Sequence, residues 1–424
     1  MSKLVYGLDF GTSNSAVAVL QDGKLQVLPI SQGGKKTTSS VIYFPGRGGV
    51  HYVGDEAILK YVGNGMRGRF IQSIKSVLPD TLFTGTVIMG HGYFKVEDLV
   101  ALILANLKAC ADKITGSDVR SVVMGRPAVY SDKKDEEEIA EERLIAAARL
   151  AGFEEIHLQI EPIAAALYYE VSLSQPQLAL VADFGGGTSD FTLMRLSPDK
   201  AKLSRRQDDV IATAGVHIAG DDFDSAIMWH KLVKYFGANI RYESSGAVLG
   251  MPAKLMRTIC EWQKISFLKN SQDQEFIRQL LYLADDKDAV RRLHTLIEKN
   301  LGFSLFQAIE GAKCDLSTKP ESEIIYSRSE IDISEPITRE EFDRLISDEV
   351  SKIEGCLDKL LADSGVAVDD IDSIFLTGGT SRTPLIQVML ERKFGAAKMR
   401  MGDAFISVVS GLALSHKLFF NGGY

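Results

Sequence analysis

At 424 residues the chain is too long for one ordinary hydrophobic core, so two lobes are expected. Its 45% hydrophobic and 25% charged residues are those of a globular protein, and no apolar run approaches the roughly 20 residues of a membrane span, so no membrane association is expected. A net charge of −8 offers no broad basic field for nucleic acid, and Cys110, Cys260, Cys314 and Cys356 are too scattered for a disulfide frame or a thiolate metal site. Asp9 interrupts the first apolar run, no signal segment is read, and the expected location is the cytoplasm.

In chain order, residues 4–30 read as three short strands with turns at "QDGK" and around Pro29. Residues 31–95 are glycine-rich and mixed in pattern, with "RFIQSIKSVL" as a short helix, and look like an inserted subdomain. "VEDLVALILANLKACADKI" has helical spacing, "SVVMGRP" is a strand stopped by Pro127, and an acidic stretch opens a helix that ends at Gly152. The run "KKDEEEIAEE" reads as the solvated start of that helix, and "EPIAAALYYEV" as a further helix with Pro162 in its first turn. A second strand pair surrounds "DFGGGTSDF", and residues 201–218 add strand. From there to about 316 the pattern is almost wholly helical, a second inserted subdomain. Strands at "SEIIYSRSEIDIS", a helix at "TREEFDRLISDEVSKIEGCLDKLLADSG", and a glycine turn joining strand to helix in "SIFLTGGTSRTPLIQVML" follow.

The chemistry lies in a repeated pattern. Asp-Phe-Gly followed by small and hydroxyl residues occurs at 9–13 and again at 183–188, each time between apolar strands. A turn without side chains lets backbone N–H groups approach an anion, and two such turns facing each other would grip one polyphosphate. Asp9 and Asp183 offer oxygen ligands that suit magnesium held largely through its waters. The expected ligand is therefore a nucleotide with magnesium.

These residues resemble the phosphate loops of the actin-like ATPase superfamily, and in detail the nucleotide-binding domain of the seventy-kilodalton heat-shock (DnaK-type) chaperones. The similarity runs through "GLDFGTSNS", "IEPIAAALYY", "VADFGGGTSDF", "AGDDFD" and "TGGTSRTPLIQ" in order, and is closest to the YegD-like branch. It implies an α/β fold, the duplicated actin-like (ribonuclease H-like) fold, with two lobes, each a sheet core plus an inserted subdomain. The expected boundaries are 1–172 plus 400–424 for lobe I, with its insert at about 31–95, and 173–399 for lobe II, with its helical insert at about 222–316.

By the same resemblance, Asp9 and Asp183 surround the magnesium, and Gly11, Thr12, Ser13, Gly185, Gly186 and Gly187 hold the phosphates. Lys75 contacts the terminal phosphate, Glu161 and Thr188 orient the attacking water, and Asp190 supports the loop. Glu310, Lys313, Ser317, Gly378, Gly379 and Arg382 form the adenosine cradle, with Asp403 also on the nucleotide, and Cys314 stands where the chaperones usually have an arginine stacked on the base. The implied activity is slow, magnesium-dependent hydrolysis of ATP to ADP and phosphate. After "FISVVSGLALSHKLFF" the chain ends at "NGGY" with neither the interdomain linker nor the peptide-clamping domain of a full chaperone, so a nucleotide-dependent switch is expected. An unidentified protein partner would read its state, through the insert at about 225–310. The other classes considered are a filament-forming actin-like structural protein and a small-molecule kinase of the same superfamily. "EPIAAA" and "GGTSRTP" argue against both.

Overall fold

A computed structural model describes residues 3–46, 48–131, 133–200, 206–244, 246–403 and 406–420. Its two large sheets repeat one topology. In the first, the order is Glu155–Ile160, Ser121–Arg126, Tyr6–Phe10, Asn14–Gln21, Lys24–Val27, with Thr37–Ser39 added beside Asn14–Gln21. In the second it is Met399–Met401, Ser373–Thr377, Gln177–Phe184, Ser189–Leu196, Val210–Val216. Each consists of three successive antiparallel strands followed by two parallel ones. The central strands are buried almost throughout, as strands covered on both faces must be, which is why they read as continuous apolar runs.

The helices repeat too. Val96–Thr115, Lys134–Leu150 and Glu161–Glu170 occupy the same places in chain order as Ser347–Ser364, Pro384–Phe394 and Ser407–Leu414. Two of these positions are fixed by recognisable chemistry. Gly116, at φ 69°, ends the first of them in the left-handed conformation that glycine adopts freely, and Asp135, Glu136 and Glu137 face the positive end of the second.

The third helices of the two sets cross. Ser407–Leu414 packs on the first sheet, Glu161–Glu170 packs on the second, and they lie against each other. A Cβ on Gly411 would sit 1.7 Å from the Ala164 carbonyl oxygen, and one on Gly7 would sit 2.2 Å from the Ala413 nitrogen. Only glycine permits this approach, so the spacing of the two halves is written into these two positions.

Each half carries an insert. In the first half, a three-stranded sheet ordered Tyr52–Val53, Val41–Phe44, Arg69–Gln72 and a hairpin of Gly85–Ile88 with Gly92–Lys95 fill the span between the first strands and the first long helix. In the second half, helices from Ala253–Ile259 to Gly302–Leu316 pack around a shared apolar core. The inserts touch: Tyr61 Oη donates to the Asn300 carbonyl at 3.2 Å, and the Phe70 and Phe303 rings lie 4.7 Å apart.

The structure departs from the sequence expectations in three places. "RFIQSIKSVL" is a strand, Arg69–Gln72, followed by one tight turn, Ile74–Val77, because the backbone reverses at Ser73, which sits at φ 53°. Glu155–Ile160 is a strand that went unread. The second insert is not wholly helical, since Arg241–Ser244 pairs with Ala247–Gly250. Of the strand region expected over 201–218, residues 201–205 lie outside the described residues, as do 404–405 and the tail at 421–424. Among the described residues no helix is long and apolar enough to cross a membrane.

Candidate functional site

The duplicated strands deliver two matching loops to one place. Asp9 and Asp183 each sit one residue before the end of a first strand, paired across the hairpin with Ala16 and Asp190 respectively. The turn that follows is closed in the same way in both: Gly11 N donates to Asn14 O at 3.0 Å, and Gly185 N to Thr188 O at 2.9 Å. A side chain at Gly11 would put its Cβ 2.3 Å from that Asn14 oxygen, so the turn itself demands glycine.

The two loops face each other. Ser13 Oγ lies 2.8 Å from where Gly186 would carry a Cβ, and Thr12 Oγ1 lies 3.3 Å from the same point on Gly187. The Gly185 carbonyl accepts from Thr380 Oγ1 at 2.7 Å, and the Gly186 carbonyl from Asp221 N at 2.8 Å. In a trans peptide the N–H points opposite to the C=O, so the amides of Gly186 and Gly187 are turned away from those donors. The amides of Thr12, Ser13, Gly186 and Gly187 have no hydrogen-bond acceptor among the described residues. Four free N–H groups on two opposed turns make a concave anion site.

A cavity of about 720 Å³ opens here. Its wall includes Asp9, Lys75, Glu161, Asp183, Gly378 and Gly379 by the loops, together with Glu310, Lys313, Cys314 and Ser317. Lys75, in the turn after the edge strand of the first insert, reaches Glu161, at the start of a crossing helix, with Nζ 2.6 Å from Oε1. Both side chains are about a tenth exposed, 9% and 10%. Asp190 receives Thr188 Oγ1 at 2.7 Å on one oxygen and Ala128 N at 2.9 Å on the other, tying the second loop to the chain after Pro127 in the first half.

The electrostatics are those of a site short of positive charge. Burial, and then the Glu161 charge, push the Asp9 carboxyl up to about 7 against the pull of Lys75. Burial with Glu161, Asp190 and Asp9 holds Asp183 well above the carboxylate range, and burial raises Asp190 to about 7. Burial alone would lower the Lys75 ammonium, but Glu161, Tyr130 and Asp9 outweigh it and raise it. A cation placed among these carboxyls would relieve the repulsion, so the residues present fit a magnesium ion. Among the described residues no three His, Cys, Asp or Glu side chains converge as a direct ligand set.

Lys313 is held by two partners, the Gly220 carbonyl at 2.9 Å and Asp224 Oδ2 at 2.8 Å. Asp221 and Asp224, on the helix Gly220–Ile227, are raised by burial, to about 7 and about 6. Gly378, at φ 79°, presses on the second loop, where a Cβ would lie 2.1 Å from the Phe184 carbonyl. Arg382 and Asp403 are exposed and do not line the cavity. The wall also holds residues that sequence reasoning did not single out: Asn14, Tyr130, His217, Asp221 and Thr380. Asp221 lay within the quoted "AGDDFD", a signal that could have been followed, whereas Tyr130 and His217 carry no pattern of their own.

Residues 5–296 and 273–415 match the model of the Hsp70 protein family, so the match runs through both halves and both inserts. Members of that family share the duplicated actin-like fold and are chaperone-type proteins that bind and hydrolyse ATP. With the duplicated sheets, the opposed loops and the match over nearly its whole length, the chain belongs to the Hsp70 family of actin-fold ATPases.

Proposed function

We propose that the protein binds magnesium–ATP between residues 1–172 plus 400–424 on one side and 173–399 on the other, hydrolyses it slowly, and serves in the cytoplasm as a nucleotide-dependent conformational switch of the YegD-like branch. The observation that carries this reading is the pair of opposed hairpin turns with four free amides on one cavity. The amides of Thr12, Ser13, Gly186 and Gly187 would receive the phosphate oxygens, and Asp9 and Asp183 would orient the waters of the metal. A bound magnesium ion, held through waters on Asp9 and Asp183, would supply neutralisation of the phosphate charge.

Phosphoryl transfer asks a protein for position and charge rather than covalent chemistry. Lys75 would leave Glu161 for the terminal phosphate, and Glu161 with Thr188 would hold the attacking water. Thr188 is aimed for this by its bond to Asp190. Glu310, Lys313, Ser317, Gly378 and Gly379 would cradle the adenosine; Arg382 and Asp403, away from the wall, receive no contact in this reading.

The switch follows from the placement of the second insert. Its last helix, Gly302–Leu316, begins beside Tyr61 and Phe70 of the first insert and ends with Glu310 and Lys313 on the cavity. Nucleotide would therefore pull on that helix, and a protein partner seated on residues 225–310 would sense the angle between the halves. Hydrogen exchange with ATP and with ADP tests this: protection across 225–310 should differ between the two, and equal protection would make the insert a passive cover.

A further inference from the structure

Tyr130 lines the same cavity and is 4% exposed, yet its hydroxyl is buried with no hydrogen-bond partner. A buried hydroxyl left unpaired destabilises the folded state, so it persists where something else supplies the partner. The ring is held firmly. The Arg126 guanidinium lies over its face, 5.4 Å from the centroid, itself fixed by Glu137 and Glu141, and the Tyr130 N–H donates to Glu137 Oε2 at 2.7 Å.

Glu161 lines the same wall, and its charge acts on the Tyr130 hydroxyl. Its partner in this structure is Lys75, and the other charged groups around it are Asp9, Asp183 and Asp190. On the proposed ATP reading, Lys75 must turn to the terminal phosphate, which would strand the Glu161 carboxylate among acids. The Glu161 side chain is buried, 8% exposed, and packs on Gly125, where there is no side chain to displace it. Burial, opposed in part by Lys75 and reinforced by Glu161, keeps the Tyr130 hydroxyl protonated far above neutral pH, so it is a donor under all working conditions.

We propose that Tyr130 is a positioning residue: its hydroxyl donates a hydrogen bond to the Glu161 carboxylate once bound nucleotide has drawn Lys75 away. The carboxylate is then held aimed at the attacking water. The unpaired hydroxyl of the nucleotide-free protein is the half of this contact that waits for ligand.

Tyr130→Phe removes the hydroxyl and keeps the ring. Three measurements go together: denaturation of the nucleotide-free protein, ATP affinity by calorimetry, and single-turnover cleavage with magnesium. The expected result is unchanged or higher stability, affinity within about threefold of the parent, and cleavage slowed roughly tenfold or more, the scale of one hydrogen bond to a charged group. In a Glu161→Gln background the same change should have little further effect, because the role acts through that carboxylate. Parental cleavage by Tyr130→Phe would overturn the inference, and so would a loss matched by an equal loss of affinity or stability. A parent protein that cleaves no ATP would bring down the functional reading and this inference together. A parent that cleaves while Tyr130→Phe keeps pace would remove the inference alone.

Discussion

Removing the Lys75 ammonium separates two roles that the structure gives one side chain. In the nucleotide-free protein Lys75 Nζ lies 2.6 Å from Glu161 Oε1, with both side chains about a tenth exposed, so this is an interior pair rather than a surface one. Breaking an interior pair by deleting one partner costs about 3–5 kcal/mol, because the other charge remains buried. Here Glu161 would be left beside Asp9, which is already raised to about 7, so the site has a ready escape: it takes up a proton. Lys75→Ala should therefore cost toward the upper end of that range at pH 8 and clearly less at pH 6. Lys75→Met combined with Glu161→Gln, which removes both charges, should recover most of the stability. Cleavage should behave differently. Loss of one group that stabilises developing charge slows the chemical step about 100-fold or more, and the double variant should stay slow. Urea unfolding at the two pH values and single-turnover ATP cleavage provide the readouts. A Lys75→Ala protein as stable as the parent at pH 8, or cleaving at the parental rate, would refute the reasoning.

Gly411→Ala should destabilise the protein by at least about 2 kcal/mol and weaken ATP binding, since its Cβ would lie 1.7 Å from the Ala164 carbonyl where the two crossing helices meet. An unchanged denaturation midpoint would contradict this. Asp221 and Asp224 are raised to about 7 and about 6, so the folded protein keeps protons that the unfolded chain releases near 3.8. The stability they confer is complete below about 3.8 and is lost as pH rises through 6 and 7, worth at most about 3 kcal/mol for Asp224 alone. Nucleotide-free protein should thus lose stability between about pH 4 and 7, and Asp224→Asn should flatten the part of that slope between about pH 4 and 6; a slope there unaffected by the substitution would refute the assignment.

The strands that carry the two loops were legible because a buried strand must be apolar and a turn that binds an anion must be bare, and both constraints act on consecutive residues. Helices such as Val96–Thr115 were legible for the same reason, their apolar spacing and capping glycine being local. Short elements were not. Arg69–Gln72 is four residues at a sheet edge, held by Val41–Phe44 across a gap of some 30 positions, and Arg241–Ser244 buries Tyr242 alone, too short a stretch for a period of two to be read. In the site, Asp9 and Asp183 announced themselves by their turns. The bond from Ala128 N to Asp190 and the hold of Asp224 on Lys313 join residues 62 and 89 positions apart, and only folding brings them together, as it does the bare Tyr130 hydroxyl and the cavity.

On the proposed function, the opposed loops and their two carboxyls are built around a metal-bound polyphosphate. Calorimetric titration of the protein with ATP, once with magnesium and once with a chelator, asks this directly. The prediction is binding in magnesium that weakens at least about tenfold without it at pH 8, because phosphate would then meet Asp9 and Asp183 with only Lys75 to offset their charge. Equal affinity in the two titrations, or no binding in either, would contradict it.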